Sequence, residues 1–222
     1  WMQMLPLKSQ NHGIVLGVLP QPKAKWTVLV SHGNGDDLWN MYPFLQTMQE
    51  QGYQVVAYDY SGYGLSGGNP SEQQSYLDAA AAYQYVRDRL KVPSNRILLY
   101  GHSLGGGVAF HLAEKYPAAG LIVEGTFVSA YRTVTYKRII FYDPYPSQQR
   151  LANIHMPILL LHGLKDRVVA PWHSQALFSA YSGKKKLYWL PEAGHNQSYL
   201  AHEKEYWHYW RKFTQDLEEV KA

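Results

Sequence analysis

Ser103 stands in the pentapeptide Gly101-His102-Ser103-Leu104-Gly105, where the apolar run RILLY gives way through small residues to a helical pattern. A G-x-S-x-G spacing between a strand and a helix predicts a sharp turn that lifts the serine hydroxyl above a sheet edge. Glycines flank it because a strained backbone that passes close to its neighbours leaves no space for a Cβ. The partial positive charge of the helix amino terminus then falls where an oxyanion would form. The chemistry open to such a residue is attack on a carbonyl. A plain helix cap would use the same residue types, and the pentapeptide alone does not separate the two readings.

A serine hydroxyl is a weak nucleophile without a base, and the base needs an acid to orient it. Of ten histidines, His111 and His208 fall inside helical patterns, His155 precedes a strand and His12 lies in an early loop. His32 and His162 end strands, in VSHG and LLHG, and are expected to brace their loops by hydrogen bonding. His102 is expected to point away from the serine beside it. His195, in WLPEAGHN, follows the last predicted strand and precedes the last helix, which is the address a base requires.

Asp166, in LLLHGLKDRVV, lies just past the preceding strand, so its carboxylate can hold the His195 imidazole in the needed tautomer and stabilise the imidazolium. Asp59 is expected to brace its own glycine-rich loop, and Asp36 and Asp37 to cap the helix after them. The chain order Ser103, Asp166, His195 fits a nucleophile on such a turn. The oxyanion calls for the backbone N–H of Leu104 and a donor from the loop HGNGDD, with Asn34 the first choice and Gly35 the next.

Positioning these groups falls to an alternation of short apolar runs and longer amphipathic ones. Strands are predicted at Ile14 to Leu19, Trp26 to Ser31, Tyr53 to Tyr58, Arg96 to Tyr100, Gly120 to Val123, Pro157 to Leu161 and Leu187 to Leu190. Helices are predicted at Met41 to Gln51, Ser71 to about Leu90, Leu104 to Tyr116, Pro171 to Tyr181 and Gln197 to Val220. The alternation implies an α/β fold: a mostly parallel sheet of about eight strands, helices on both faces and right-handed crossovers. Working residues then gather in loops beyond the carboxyl ends of the strands. The 222 residues fit one domain, 1–222, with no repeat and no linker.

Composition is that of a folded chain, 46% hydrophobic and 17% charged. The net charge of +4 is scattered, and the run Lys184 to Lys186 after Gly183 reads as a solvated turn, so nucleic acid is not an expected partner. The absence of cysteine removes disulfides, thiolate metal sites and a cysteine nucleophile, and leaves the compartment open. No stretch approaches the roughly 18 to 20 apolar residues of a membrane span, and no basic-then-apolar leader precedes the first strand. A cytoplasmic location is the expectation; because the first residue is Trp1, a signal or anchor upstream stays open.

Taken together, HGN at His32 to Asn34, GHSLGG around Ser103, HGLKDRVV with Asp166 and AGHN with His195 resemble the α/β-hydrolase superfamily, from about Gly13 to the last helix. DYSGYGLSGG resembles a loop shared by small single-domain serine acylhydrolases, among them membrane-anchored lipid and acyl-protein thioesterases. The resemblance implies a lipase- or thioesterase-like enzyme that hydrolyses an ester or thioester through an acyl-enzyme, with no metal or organic cofactor. Its substrate would be a small-molecule ester or a lipid-like molecule, and contact with a membrane surface is compatible with it. Dehalogenases and epoxide hydrolases of the superfamily carry a carboxylate where Ser103 stands, and its peptidases usually carry large extra domains.

Where relatives carry caps, Thr126 to Asn153 supplies Phe127, Tyr131, Tyr136, Phe141, Tyr142 and Tyr145 together with Arg132, Lys137, Arg138 and Arg150. This segment reads either as a short lid, 126–153, lining an apolar acyl pocket with basic residues near an anionic group, or as a packed surface helix. Tyr199, Tyr206, Trp207, Tyr209, Trp210 and Phe213 of the last helix are expected to cover the sheet, the other reading being a lipid interface. The rival to an enzyme is a non-catalytic ligand-binding or scaffold protein that kept the hydrolase shape. Such a scaffold has no need of the trio together with both oxyanion residues. Acyl chain length, ester against thioester, and oligomeric state do not follow from the residues.

Overall fold

A computed structural model describes residues 1–135, 142–196 and 198–219. Short runs rich in valine, isoleucine and leucine form the strands, and in the central ones nearly every residue is buried, as parallel strands covered on both faces require. In chain order they are β1 (Gln3–Ser9), β2 (His12–Leu19), β3 (Thr27–Ser31), β4 (Gln54–Tyr58), β5 (Ile97–His102), β6 (Gly120–Glu124), β7 (Ile158–Gly163) and β8 (Lys185–Leu190). They make one sheet in the order β1-β2-β4-β3-β5-β6-β7-β8. The β1–β2 and β2–β4 pairs are antiparallel, and every pair from β4 onward is parallel.

The helices are α1 (Leu38–Glu50), α2 (Glu72–Asp88), α3 (Leu104–Lys115), α4 (Arg132–Thr135), α5 (Ser147–Arg150), α6 (Trp172–Ala180), α7 (Ser198–Ala201) and α8 (Glu203–Glu219). Side chains of α1 and α8 form one core with one face of the sheet, and those of α2, α3 and α6 form a second core with the other. On α8, Tyr206, Trp207, Trp210, Phe213 and Leu217 are all buried. The Tyr206 hydroxyl donates to Glu124 Oε2 at 2.6 Å and Tyr100 donates to the same oxygen at 2.9 Å, which satisfies a buried carboxylate at the end of β6. Among the described residues no helix is long and apolar enough to cross a membrane.

Several expectations change. β1 was not predicted, because Pro6 interrupts its pattern; at the sheet edge the missing N–H costs no ladder bond. His12 opens β2 rather than lying in a loop, and its Nε2 meets Ser61 Oγ at 2.5 Å. Lys185 and Lys186 begin β8 instead of forming a solvated turn, and Lys186 pairs with Asp216 on α8. α1 begins at Leu38, since Asp37 alone is its cap, accepting from Asn40 N–H at 2.8 Å. The predicted last helix is two, α7 and α8, parted at His202, whose Nε2 accepts from Glu192 N–H at 3.2 Å.

Several side chains of the segment from Thr126 pack against the body of the domain where it is described. Phe127 is buried in the core, and Arg150, expected near a substrate anion, pairs with Glu114 and lies 5.0 Å over the Tyr76 ring. Arg132 stacks at 5.0 Å over Trp172. Tyr131 and Tyr142 are exposed, whereas Tyr136, Lys137, Arg138 and Phe141 lie outside the described residues.

Candidate active site

β5 runs straight into α3, and the turn between them is built by close packing. A Cβ on Gly105 would stand 2.0 Å from the Ser31 carbonyl oxygen of β3, and one on Gly101 would stand 2.3 Å from the Gly105 oxygen. Between these glycines Ser103 adopts φ 52° and ψ −119°, a conformation that costs on the order of 1–3 kcal/mol in a non-glycine residue. Three bonds hold it there: Ser103 N–H donates to Glu124 O at 2.9 Å, and both Thr126 Oγ1 and Gly106 N–H donate to Ser103 O at 3.0 Å. The side chain makes no capping bond to α3; its Oγ lies 2.9 Å from His195 Nε2.

His195 sits in the turn after β8 with Nδ1 2.7 Å from Asp166 Oδ2. Asp166, in the loop after β7, is buried, and its Oδ1 accepts from Val168 N–H at 2.9 Å and Val169 N–H at 2.8 Å. Burial alone would raise its pKa. The bonds from His162, His195 and Val169 outweigh burial and hold the carboxyl well below the usual carboxylate range. An ionised carboxylate only accepts, so His195 Nδ1 carries a proton and the neutral ring presents its Nε2 lone pair to the Ser103 hydroxyl. That is the tautomer in which a histidine can take a proton from serine.

His162 braces its loop as expected, with Nδ1 2.7 Å from Ser174 Oγ and Nε2 2.8 Å from Val169 O; it also lies 3.3 Å from Asp166 Oδ2, which strand pattern did not suggest. His32 is buried, with Nδ1 2.9 Å from Gly33 O and its ring 4.3 Å from that of Tyr60; burial lowers its pKa. Asp59 accepts at 2.7 Å from Leu38 N–H as well as from Leu65 N–H in its own loop, so it ties α1 to the glycine-rich turn.

Leu104 is the first residue of α3, and the N–H at that position has no acceptor within its helix. The loop carrying Asn34 packs against the nucleophile turn, for a Cβ on Gly33 would meet Ser103 Cβ at 3.6 Å. Asn34 Oδ1 accepts from the Tyr63 hydroxyl at 2.6 Å, which leaves its amide NH2 as the free donor. Tyr63 was missed in the sequence; its only signal was membership in DYSGYGLSGG. Tyr63, Glu72, Leu104 and Tyr145 help line a cavity of about 140 Å3 beside the turn. Among the described residues, no group of three or more His, Asp or Glu side chains is placed to hold a metal ion.

A strained serine on a strand-to-helix turn, at the carboxyl edge of a mostly parallel eight-stranded sheet, is the arrangement of the α/β-hydrolases. The chain belongs to that superfamily and within it to the serine hydrolases: the family model described as serine aminopeptidase, S33, matches residues 22–141. Alpha/beta hydrolase domain-containing protein 17C of Mus musculus is 34% identical over 178 residues, which is 79% of this chain and 56% of that protein. Protein 17B of the same series from Homo sapiens is also 34% identical over 178 residues, 62% of its length. The chain thus spans somewhat more than half the length of these curated relatives. Among solved structures, an esterase of Pyrococcus furiosus superposes with a TM-score of 0.81 over 99% of this chain and 92% of that one, at 18% identity. Est1E of Butyrivibrio proteoclasticus, whose structure holds ferulic acid, gives 0.79 over 98% and 100% at 16% identity. At such identities the likeness speaks for the fold.

Proposed function

We propose that the protein is a serine hydrolase of carboxylic esters or thioesters working through an acyl-enzyme, with Ser103, His195 and Asp166 as its catalytic trio. The observation that carries this reading is the unbroken line from Ser103 Oγ to His195 Nε2 at 2.9 Å and from His195 Nδ1 to Asp166 Oδ2 at 2.7 Å. Ser103 Oγ attacks the substrate carbonyl while His195 Nε2 takes its proton. Negative charge develops on the carbonyl oxygen, where the N–H of Leu104 and Asn34 donate. Collapse expels the alcohol or thiol, which receives the proton from His195. Water, deprotonated by the same nitrogen, then attacks the acyl-enzyme and releases the acid. No step draws on a metal or an organic cofactor, and residues 1–222 act as one catalytic domain.

Small esters and lipid-like molecules are the proposed substrates. An apolar cleft of about 670 Å3, which Trp1, Met4, Trp39 and Leu65 help to line, contains none of the trio and bears only on contact with a lipid surface. The test is turnover of p-nitrophenyl esters and acyl thioesters of increasing chain length, with Ser103→Ala as blank, together with labelling by a fluorophosphonate. Ester or thioester turnover lost in Ser103→Ala is the expected result. Full turnover in that variant overturns the assignment, and a wild type inert to both substrate and phosphonate marks a binding scaffold. An aminoacyl p-nitroanilide, cleaved in preference to every ester, would replace ester hydrolysis by the aminopeptidase activity for which the family model is named.

A further inference from the structure

His102 ends β5, directly before the nucleophile, and is 8% exposed. Its Nε2 lies 3.0 Å from the main-chain oxygen of His195. A carbonyl oxygen only accepts, so Nε2 carries a proton and the bond runs from the nucleophile's own turn to the backbone of the base. The two rings lie 4.9 Å apart between centroids, tilted by 43°. On its other side the ring meets the loop HGNGDD, for a Cβ on Gly33 would stand 3.1 Å from His102 Nδ1. One imidazole therefore touches the loops that carry nucleophile, base and candidate oxyanion donor.

What lies behind His102 makes this bond matter. Together with Asp36, Glu124, Asn196 and Tyr199, His102 lines a cavity of about 200 Å3, so the turn holding His195 has room to move on that side. Ala193, two residues before the base, accepts from Lys165 N–H at 3.0 Å. The bond from His102 holds the turn at His195 itself.

We propose that His102 is a positioning residue: its Nε2–H fixes the backbone of His195 and so maintains the 2.9 Å approach of His195 Nε2 to Ser103 Oγ. Its Nε2 bonds to the main chain of His195 and not to the Ser103 hydroxyl. The inference rests on the assignment of Ser103 and His195 as nucleophile and base.

Two amide variants of the full chain test it. His102→Gln places an N–H donor where Nε2 was, whereas His102→Asn carries the same amide one methylene short of the carbonyl. With active sites counted by fluorophosphonate titration, His102→Asn is expected to lose about 10- to 100-fold in kcat, with KM within about twofold and phosphonate labelling slowed in proportion. His102→Gln should stay within about threefold of wild type. A residue that merely supports the fold would lower the unfolding midpoint and leave kcat per titrated site unchanged in both. Equal kcat in the two variants overturns the proposal. Should His102→Asn not fold, His102→Phe replaces it, having a ring without a donor, and wild-type kcat there is equally decisive. Turnover that survives Ser103→Ala sinks the assignment of the nucleophile; turnover that needs Ser103 but ignores His102 sinks this proposal alone.

Discussion

His162 Nε2 lies 3.3 Å from the same Asp166 oxygen that His195 Nδ1 approaches at 2.7 Å. Asp166 is thus surrounded by donors on both oxygens, and its carboxylate stays ionised in the folded state to a lower pH than in the unfolded chain.

For Asp166 the folded pKa is depressed, so the stability it contributes is present above the usual carboxylate range and is lost as pH falls below about 4. Asp166→Asn should lower stability at pH 7 by about 2 kcal/mol and flatten the acid end of the profile, as read from urea midpoints between pH 3 and 7. The same variant should lower kcat by about 10^4, since an amide can donate to His195 Nδ1 and so favour the wrong tautomer. His162→Gln, which leaves the His195 bond in place, should cost far less activity.

In the proposed site Tyr63 orients the Asn34 amide by donating to its Oδ1 at 2.6 Å. Asn34→Ala is expected to lower kcat by about 10^2–10^3, and Tyr63→Phe, which frees the amide to rotate, by about tenfold with KM unchanged. Steady-state kinetics on one short ester decide it. Wild-type kcat in Asn34→Ala would move the donor from the side chain to that residue's backbone.

The packing beneath the nucleophile predicts a sharp contrast between two glycines. Gly105→Ala drives a methyl to 2.0 Å from the Ser31 carbonyl oxygen, and a shift of β3 or α3 should cost about 3 kcal/mol together with most of the activity. Gly13→Ala meets nothing within 4 Å and should leave the thermal midpoint close to that of the wild type. Calorimetry on the two proteins makes the comparison.

Asp59 responds to pH with the opposite sign to Asp166. Burial pushes its carboxyl up to about 6, against the N–H bonds from Leu38 and Leu65. Between about pH 4 and 6 the folded state therefore holds a proton that the unfolded chain has released, and stability falls as pH rises through that window. His111 and His173, whose pKa values burial lowers to about 4, work against this, since their unfolded forms bind the extra protons up to about pH 6.5. The difference between wild type and Asp59→Asn isolates the carboxyl: stability of the variant should rise from pH 4 to 6 relative to that of the parent.

Much of the architecture was legible because each of the strands β3 to β7 is a run of apolar residues closed by a glycine, histidine or aspartate. HGNG, GHSLGG and HGLKD mark the carboxyl ends of β3, β5 and β7, and the alternation with helices places those ends on one edge. What escaped depends on contacts rather than pattern. β1 hid behind Pro6, which only an edge position tolerates. The parting of α7 from α8 reflects a bond between His202 and Glu192, a feature that helical periodicity does not carry. Arg150 read as free charge because its partner Glu114 lies on another helix. The contact of His102 with the main chain of His195 spans 93 residues, and no local spacing announces it.

Because α8 follows every other described element, a ribosome delivers Ser103, Asp166 and His195 before it delivers Tyr206, Trp207, Trp210 and Phe213. Until those rings emerge, α1 alone covers that side of the sheet and Glu124 lacks one of its two phenolic donors. The nascent polypeptide then already holds the proposed trio and the core under α2, α3 and α6, yet the opposite face is only partly covered, so a settled site waits on the aromatic helix α8.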